Sequence, residues 1–156
     1  MHKEKFVYVI YIQSTPEKVW QALTDGEQTR EYWGRHRNAS DWNDGSRWEH
    51  QDYNDANVVD IAGTVLESAR PSRLVVSWHL PGDENRPDKI SRVTYSIEPF
   101  EDATRLTVTH EDLEPASDML YGVTQGWPAV LSSLKTFLET GQAMPMLRRR
   151  WEAPPD

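Results

Sequence analysis

His110 is the side chain in this sequence best placed to do chemistry. It closes the alternating run 105–110, in which Leu106, Val108 and His110 share one face. Successive side chains on a strand point to opposite faces, so this imidazole follows the two apolar residues inward. There it could serve as a general base or hold a ligand by a hydrogen bond. The same position suits a buried histidine satisfied by backbone or by a hydroxyl, with Tyr95 on the neighbouring run as the expected partner. An acid–base site would need a carboxylate beside the ring. Asp41 and Glu111 are the candidates. Asp41 falls in a loop, where such residues make local turn bonds, and Glu111 takes the opposite face of a regular strand. His79 follows Trp78 and is expected to face solvent.

Other chemistries lack their residues. There is no GxSxG, and Ser132-Ser133 lies in a helical run. Five His are dispersed without HxxxH or HExxH spacing, and Glu111, Asp112 and Glu114 do not form a calcium loop. No glycine cluster precedes a helix to cradle phosphate. The absence of cysteine excludes disulfides, thiolate metal sites and a cysteine nucleophile. No catalytic residue, metal or cofactor is therefore assigned.

Aromatic residues point to binding instead. Seven Trp, six Tyr and three Phe occur in a chain that is 37% hydrophobic. Trp33, Trp42, Trp48, Trp78 and Trp127 fall at or beside positions that the pattern turns inward or places at the mouth of the core. A tryptophan offers a large apolar area and one N–H, which suits a pocket for a flat, partly polar ligand. The competing role is core filling, which fits Trp20 on the buried stripe of the first helix. The expected binding set is Trp33, Trp42, Trp48, Trp78, Tyr95, His110, Trp127 and Leu131.

These residues need elements to hold them. Residues 6–12 read as a strand rather than a signal peptide: the stretch is β-rich and lacks a small-residue cleavage site. Thr15 can cap a helix with Pro16 at its first position, and Asp25 can cap a second with Gln28 completing the box. Residues 35–46 read as a polar loop, with Asp44-Gly45 as a hairpin signal. Strands follow at 47–51, 58–67, 74–79, 90–98 and 105–110. An apolar helical stripe then runs over 120–138, with Pro128 inside it predicting a kink or a separate first turn. Gly141 ends the helix. Residues 142–156, with Arg148, Arg149 and Arg150, read as a loose tail. The order implies one α+β domain: a curved antiparallel sheet with a long helix across it, leaving a cavity where the two do not meet.

The length of 156 residues fits one domain. A net charge of −8 argues against nucleic acid as a partner. No run approaches the ~18 apolar residues of a membrane span. The expected location is cytoplasmic.

Six strings in order carry a family resemblance: TPEKVWQALTD, Tyr32-Trp33-Gly34, SDWNDGS with Trp48, SRVTYSIEP, TRLTVTHEDL and GWPAVLSSLKTFLETG. They resemble the START-like (SRPBCC) superfamily, in the branch related to the activator of heat-shock protein 90 ATPase. The resemblance covers residues 6–141 and implies a helix-grip fold: a six- or seven-stranded sheet wrapped around a C-terminal helix, enclosing a hydrophobic cavity. It implies binding of a small hydrophobic molecule. Some relatives are cyclases, aromatases or hydrolases, and others are co-chaperones. The reading that follows is a non-catalytic binder of a small hydrophobic or aromatic molecule. The alternatives are a cofactor-free cyclase, lyase or hydrolase using His110, and a co-chaperone-like or regulator-associated interaction module. A protein partner or a homodimer stays open.

Overall fold

The structure, a computed structural model, describes residues 2–145. Strand β1 (Glu4–Ile12) leads into two short helices, α1 (Pro16–Thr24) and α2 (Gly26–Tyr32). Six strands follow: β2 (His36–Ser40), β3 (Arg47–Asp52), β4 (Asp55–Ala69), β5 (Arg73–Trp78), β6 (Ser91–Phe100) and β7 (Ala103–Leu113). Helix α3 (Asp118–Thr140) is the last element among the described residues. The seven strands form one antiparallel sheet in the order β1-β7-β6-β5-β4-β3-β2. Consecutive strands from β2 to β7 are neighbours, and the excursion through α1 and α2 places β1 beside β7.

Local chemistry explains the boundaries. The Thr15 hydroxyl accepts from the Lys18 N–H at 3.2 Å ahead of Pro16, and Asp25 Oδ1 accepts from the Glu27 N–H at 3.0 Å. The Ser117 hydroxyl caps α3 by accepting from Leu120 N–H at 3.1 Å. Gly141 ends that helix in the left-handed conformation at φ 85°. Gln28 approaches the Asp25 side chain at 3.2 Å instead of closing a capping box on its backbone.

The inward face of the sheet is read directly from alternation. Leu74, Val76 and Trp78 on β5, Val93, Tyr95 and Ile97 on β6, and Leu106, Val108 and His110 on β7 are all buried. Val123, Trp127, Val130, Leu131 and Leu134 of α3 pack onto them, and α1 adds Val19, Trp20 and Leu23. Register shifts interrupt β3–β4 pairing at His50–Gln51 and β4–β5 pairing between Val65 and Glu67. Such bulges bend the 15-residue β4 so that the sheet curves around the helix. Gly63 lies at the bend. The Trp48 indole N–H donates across it to the Ser77 carbonyl at 2.7 Å, and any Cβ at position 63 would overlap both groups.

Two expectations are corrected here. Residues 35–46 are not one loop, because 36–40 form the edge strand β2. Its inward residue is Asn38, a buried polar side chain, so no apolar alternation marks the strand. His79 does not face solvent: it is buried, exchanges two backbone hydrogen bonds with Ala62 at 3.0 Å each, and donates from Nδ1 to the Leu80 carbonyl at 2.8 Å. Helix α3 is one element of 23 residues with Pro128 inside it, so the turn before Pro128 is not a separate helix. Beyond it Ala143 is buried in the core, so the chain stays attached past Gly141. Arg148, Arg149 and Arg150 lie outside the described residues.

Candidate functional site

A cavity of about 360 Å³ opens between the sheet and the first half of α3. Trp33, at the end of α2, Trp78, at the end of β5, and Trp127, in mid-helix, form its aromatic wall. Trp127 packs 5.5 Å from Trp33 and 5.6 Å from Trp78, ring centre to ring centre. Ile61 and Leu80 add the sheet side, and Met119, Val123 and Val130 the helix side.

Gly122 and Gly126 also line this cavity. They sit four residues apart, hence on one face of α3. A Cβ at either would meet nothing within 4 Å. Glycine in a helix interior costs roughly 0.5–1 kcal/mol relative to alanine. Two such residues facing empty space leave a shallow channel along the helix that alanine would narrow.

The expected binding residues divide into two groups. Trp33, Trp78 and Trp127 come together on the cavity wall. Tyr95 and His110 stand behind Trp127, edge-on to its ring at 6.0 and 6.2 Å, and Leu131 is buried in the core. Trp48 packs behind Trp78 at 5.3 Å, with its N–H committed to Ser77. Trp42 lies elsewhere, lining a separate cleft with Trp20, Asp41 and Arg70. Its loop backbone is left-handed at φ 57°, which turns the ring away from the run that alternation would continue.

His110 is fully buried, and both ring nitrogens are occupied. The Trp127 indole N–H, which only donates, reaches Nδ1 at 3.1 Å. Nδ1 is therefore the acceptor and the ring proton sits on Nε2, which donates to the Ser91 hydroxyl at 2.8 Å. Ser91 in turn donates to the Trp78 carbonyl at 3.0 Å. This chain ties two cavity tryptophans to β6 and β7. Burial in this apolar setting lowers the His110 pKa to about 3, so the ring is neutral throughout the physiological range. The expected Tyr95 partner is replaced by Ser91 and Trp127. The two carboxylate candidates are absent from the ring's surroundings: Asp41 is exposed in the Trp42 loop, and Glu111 pairs outward with Arg92 at 3.2 Å. His110 orients the wall and has no free nitrogen for proton transfer.

A second histidine cluster flanks Trp33. His50 and His36 stack at 4.3 Å with 10° between their planes, and His50 lies 5.1 Å from the Trp33 ring. His50 Nδ1 is 2.6 Å from the buried Asn38 Oδ1, while His36 bridges the Gly34 carbonyl at 2.9 Å and Asp60 at 2.6 Å. Burial first, then the neighbouring His36 charge, pushes the His50 pKa well below its ordinary value. Alternation along β3 would place His50 beside Trp48, but β2 had to be recognised before the stack could be foreseen. Among the described residues no three metal-ligating side chains converge. No helix among them is long and apolar enough to cross a membrane.

A seven-stranded antiparallel sheet closed over a long C-terminal helix, with a cavity between them, defines the helix-grip, START-like class. The family model of activator of Hsp90 ATPase homolog 1-like proteins matches residues 13–139, and the chain belongs to that family. Solved structures agree in fold. CalU16 from Micromonospora echinospora superposes with a TM-score of 0.70 at 23% identity, over 92% of this chain and 78% of that one. An Aha1 dimer from Colwellia psychrerythraea gives 0.72 at 21%, over 90% and 99%. PFC0360w from Plasmodium falciparum, an Hsp90 activator, gives 0.70 at 25%, over 86% and 96%. No curated protein matches the sequence.

Proposed function

We propose that this domain binds a small, flat, hydrophobic molecule between Trp33, Trp78 and Trp127 and does not transform it. The observation that carries this reading is the cavity itself: 360 Å³ walled by three indoles and opened by two mid-helix glycines. The volume suits a molecule of two or three fused rings. The neutral, doubly bonded His110 supports binding over catalysis, because a general base needs a free lone pair within reach of its substrate. Native mass spectrometry of freshly purified protein tests the reading together with titration by a naphthalene fluorophore. The expected result is a co-purifying or added ligand at one per chain, with saturable quenching of tryptophan emission. Non-saturable quenching and a ligand-free mass spectrum would remove the cavity from function.

One surface favours a second reading, docking to a chaperone ATPase. Val7, Val9 and Tyr11 are 49, 47 and 45% exposed on the outer face of the edge strand β1, and Phe100 packs edge-on to Tyr11 at 4.9 Å. An exposed apolar patch of this kind, bordered by Arg105 over the Phe100 ring at 5.4 Å, marks interaction sites. The substitution Val9→Asp would abolish stimulation of a chaperone ATPase while leaving probe binding in the cavity intact.

A further inference from the structure

The apolar cavity continues past its mouth. A second cleft of about 500 Å³ adjoins it, and Leu80, Asp118 and Met119 line both. The compartments differ in chemistry. Among the described residues, Asp118 is the one charged residue lining the inner compartment. The outer cleft carries four carboxylates, Asp83, Asp112, Glu114 and Asp118, against two cations, Arg86 and Lys89. Both cations are engaged. Lys89 Nζ donates to the two Glu114 oxygens at 2.8 and 3.0 Å, and Arg86 Nη1 lies 3.8 Å from Asp83. Asp112 and Asp118 stand outside these pairs. The helix end offers no compensating anion site, because Asp118 occupies the first turn of α3 and its own carboxylate meets the positive end of the helix dipole. Among the described residues, an incoming anion therefore meets two carboxylates outside these ion pairs and no cation outside them. An incoming cation is attracted by the same two carboxylates.

We infer that the ligand is an amphiphile whose apolar ring system fills the inner compartment and whose cationic head lies in the outer cleft, with Asp112 and Asp118 selecting for that charge. This rests on the binding function proposed above and adds the chemical class of the ligand. The two carboxylates sit where the β7–α3 connection is backbone-constrained: Asp112 at φ 60° and Ala116 at φ 53° are both left-handed without being glycine. Leu80, half exposed, and Met119 line both compartments where they adjoin.

Three fluorophores sharing one naphthalene body test this: dansylamide, which is neutral, N-dansylethylenediamine, whose free amine is cationic, and N-dansylglycine, which is anionic. Titrated into the full chain at low salt, the cationic probe should bind at least tenfold more tightly than the anionic one, with the neutral probe between them. The double variant Asp112→Asn/Asp118→Asn should shrink that ratio to within about threefold. Asparagine tolerates the left-handed backbone at position 112 and keeps the shape at position 118, so a normal melting curve is expected. Should that variant misfold, 0.5 M salt on the parent protein gives the same readout, because screening compresses the ratio without mutation. Equal affinities, an anionic preference, or a ratio unmoved by both the variant and salt overturn this inference alone. Failure of all three probes to bind overturns it together with the cavity's binding function.

Discussion

Replacing Gly126 with leucine should make the protein more stable and less able to bind. The two effects come from the same atoms. On the stability side, Gly126 lies inside α3, and a Cβ there meets nothing within 4 Å. Removing the backbone entropy of a mid-helix glycine is worth roughly 0.5–1 kcal/mol. For a domain of this size that corresponds to a rise in Tm of roughly 2–4 °C. On the binding side, the four added carbons enter the 360 Å³ cavity. At about 30 Å³ for each water-sized group they occupy about a third of it. A ligand displaced from that volume loses the burial of about four methylene equivalents, about 3 kcal/mol or roughly a hundredfold in Kd.

The assay pairs thermal unfolding with titration by a neutral naphthalene fluorophore. Gly126→Ala supplies the intermediate point, with a similar stability gain and a smaller loss of affinity. A leucine variant that melts below the parent would show that the space beside Gly126 is not open. A variant that binds as tightly as the parent would show that the ligand does not use this wall of the cavity. Either result refutes the assignment of the glycine pair as the feature that opens the pocket.

Four further outcomes follow from the same geometry. Leu131→Asp places an unpaired charge at a fully buried position and should cost more than about 4 kcal/mol, read as loss of cooperative unfolding near the parent Tm. Gly63→Ala forces a methyl into the Ser77 carbonyl and the Trp48 N–H and should cost about 3 kcal/mol by urea denaturation, a neutral result arguing against the close approach. Ser91→Ala leaves the His110 Nε2–H and the Trp78 carbonyl without the hydroxyl between them and should cost about 1–3 kcal/mol by the same measurement. His110 binds its proton less readily folded, near 3, than unfolded, near 6.5, so its contribution is complete above pH 6.5 and is lost as pH falls toward 3. Between pH 7 and 5 that loss is about 2 kcal/mol, and His110→Gln should flatten the stability-versus-pH slope over that window.

How far the sequence reached depended on whether each position obeyed the alternation rule. On β5, β6 and β7 one face is buried, so a period of two located the inward residues, His110 included. On β2 the inward residue is Asn38, held at its backbone N–H by the Thr29 hydroxyl at 3.0 Å and at its side chain by His50. A strand that buries a hydrogen-bonded amide looks polar on both faces, so the loop reading hid the edge of the sheet and the histidine stack with it. Tryptophan type alone was also insufficient. Trp33, Trp78 and Trp127 face space, whereas Trp48 fills the gap above Gly63 and Trp42 is turned away by a left-handed residue. The difference lies in what stands opposite each ring, which depends on contacts between elements far apart in the chain. One local signal did mark the cavity. Gly122 and Gly126 fall inside a long amphipathic helix at a spacing of four, where helix propensity disfavours them and no turn or cap requires them. Residues that weaken a helix without serving its backbone are best explained by the space they leave, and here that space is bounded by the three indoles.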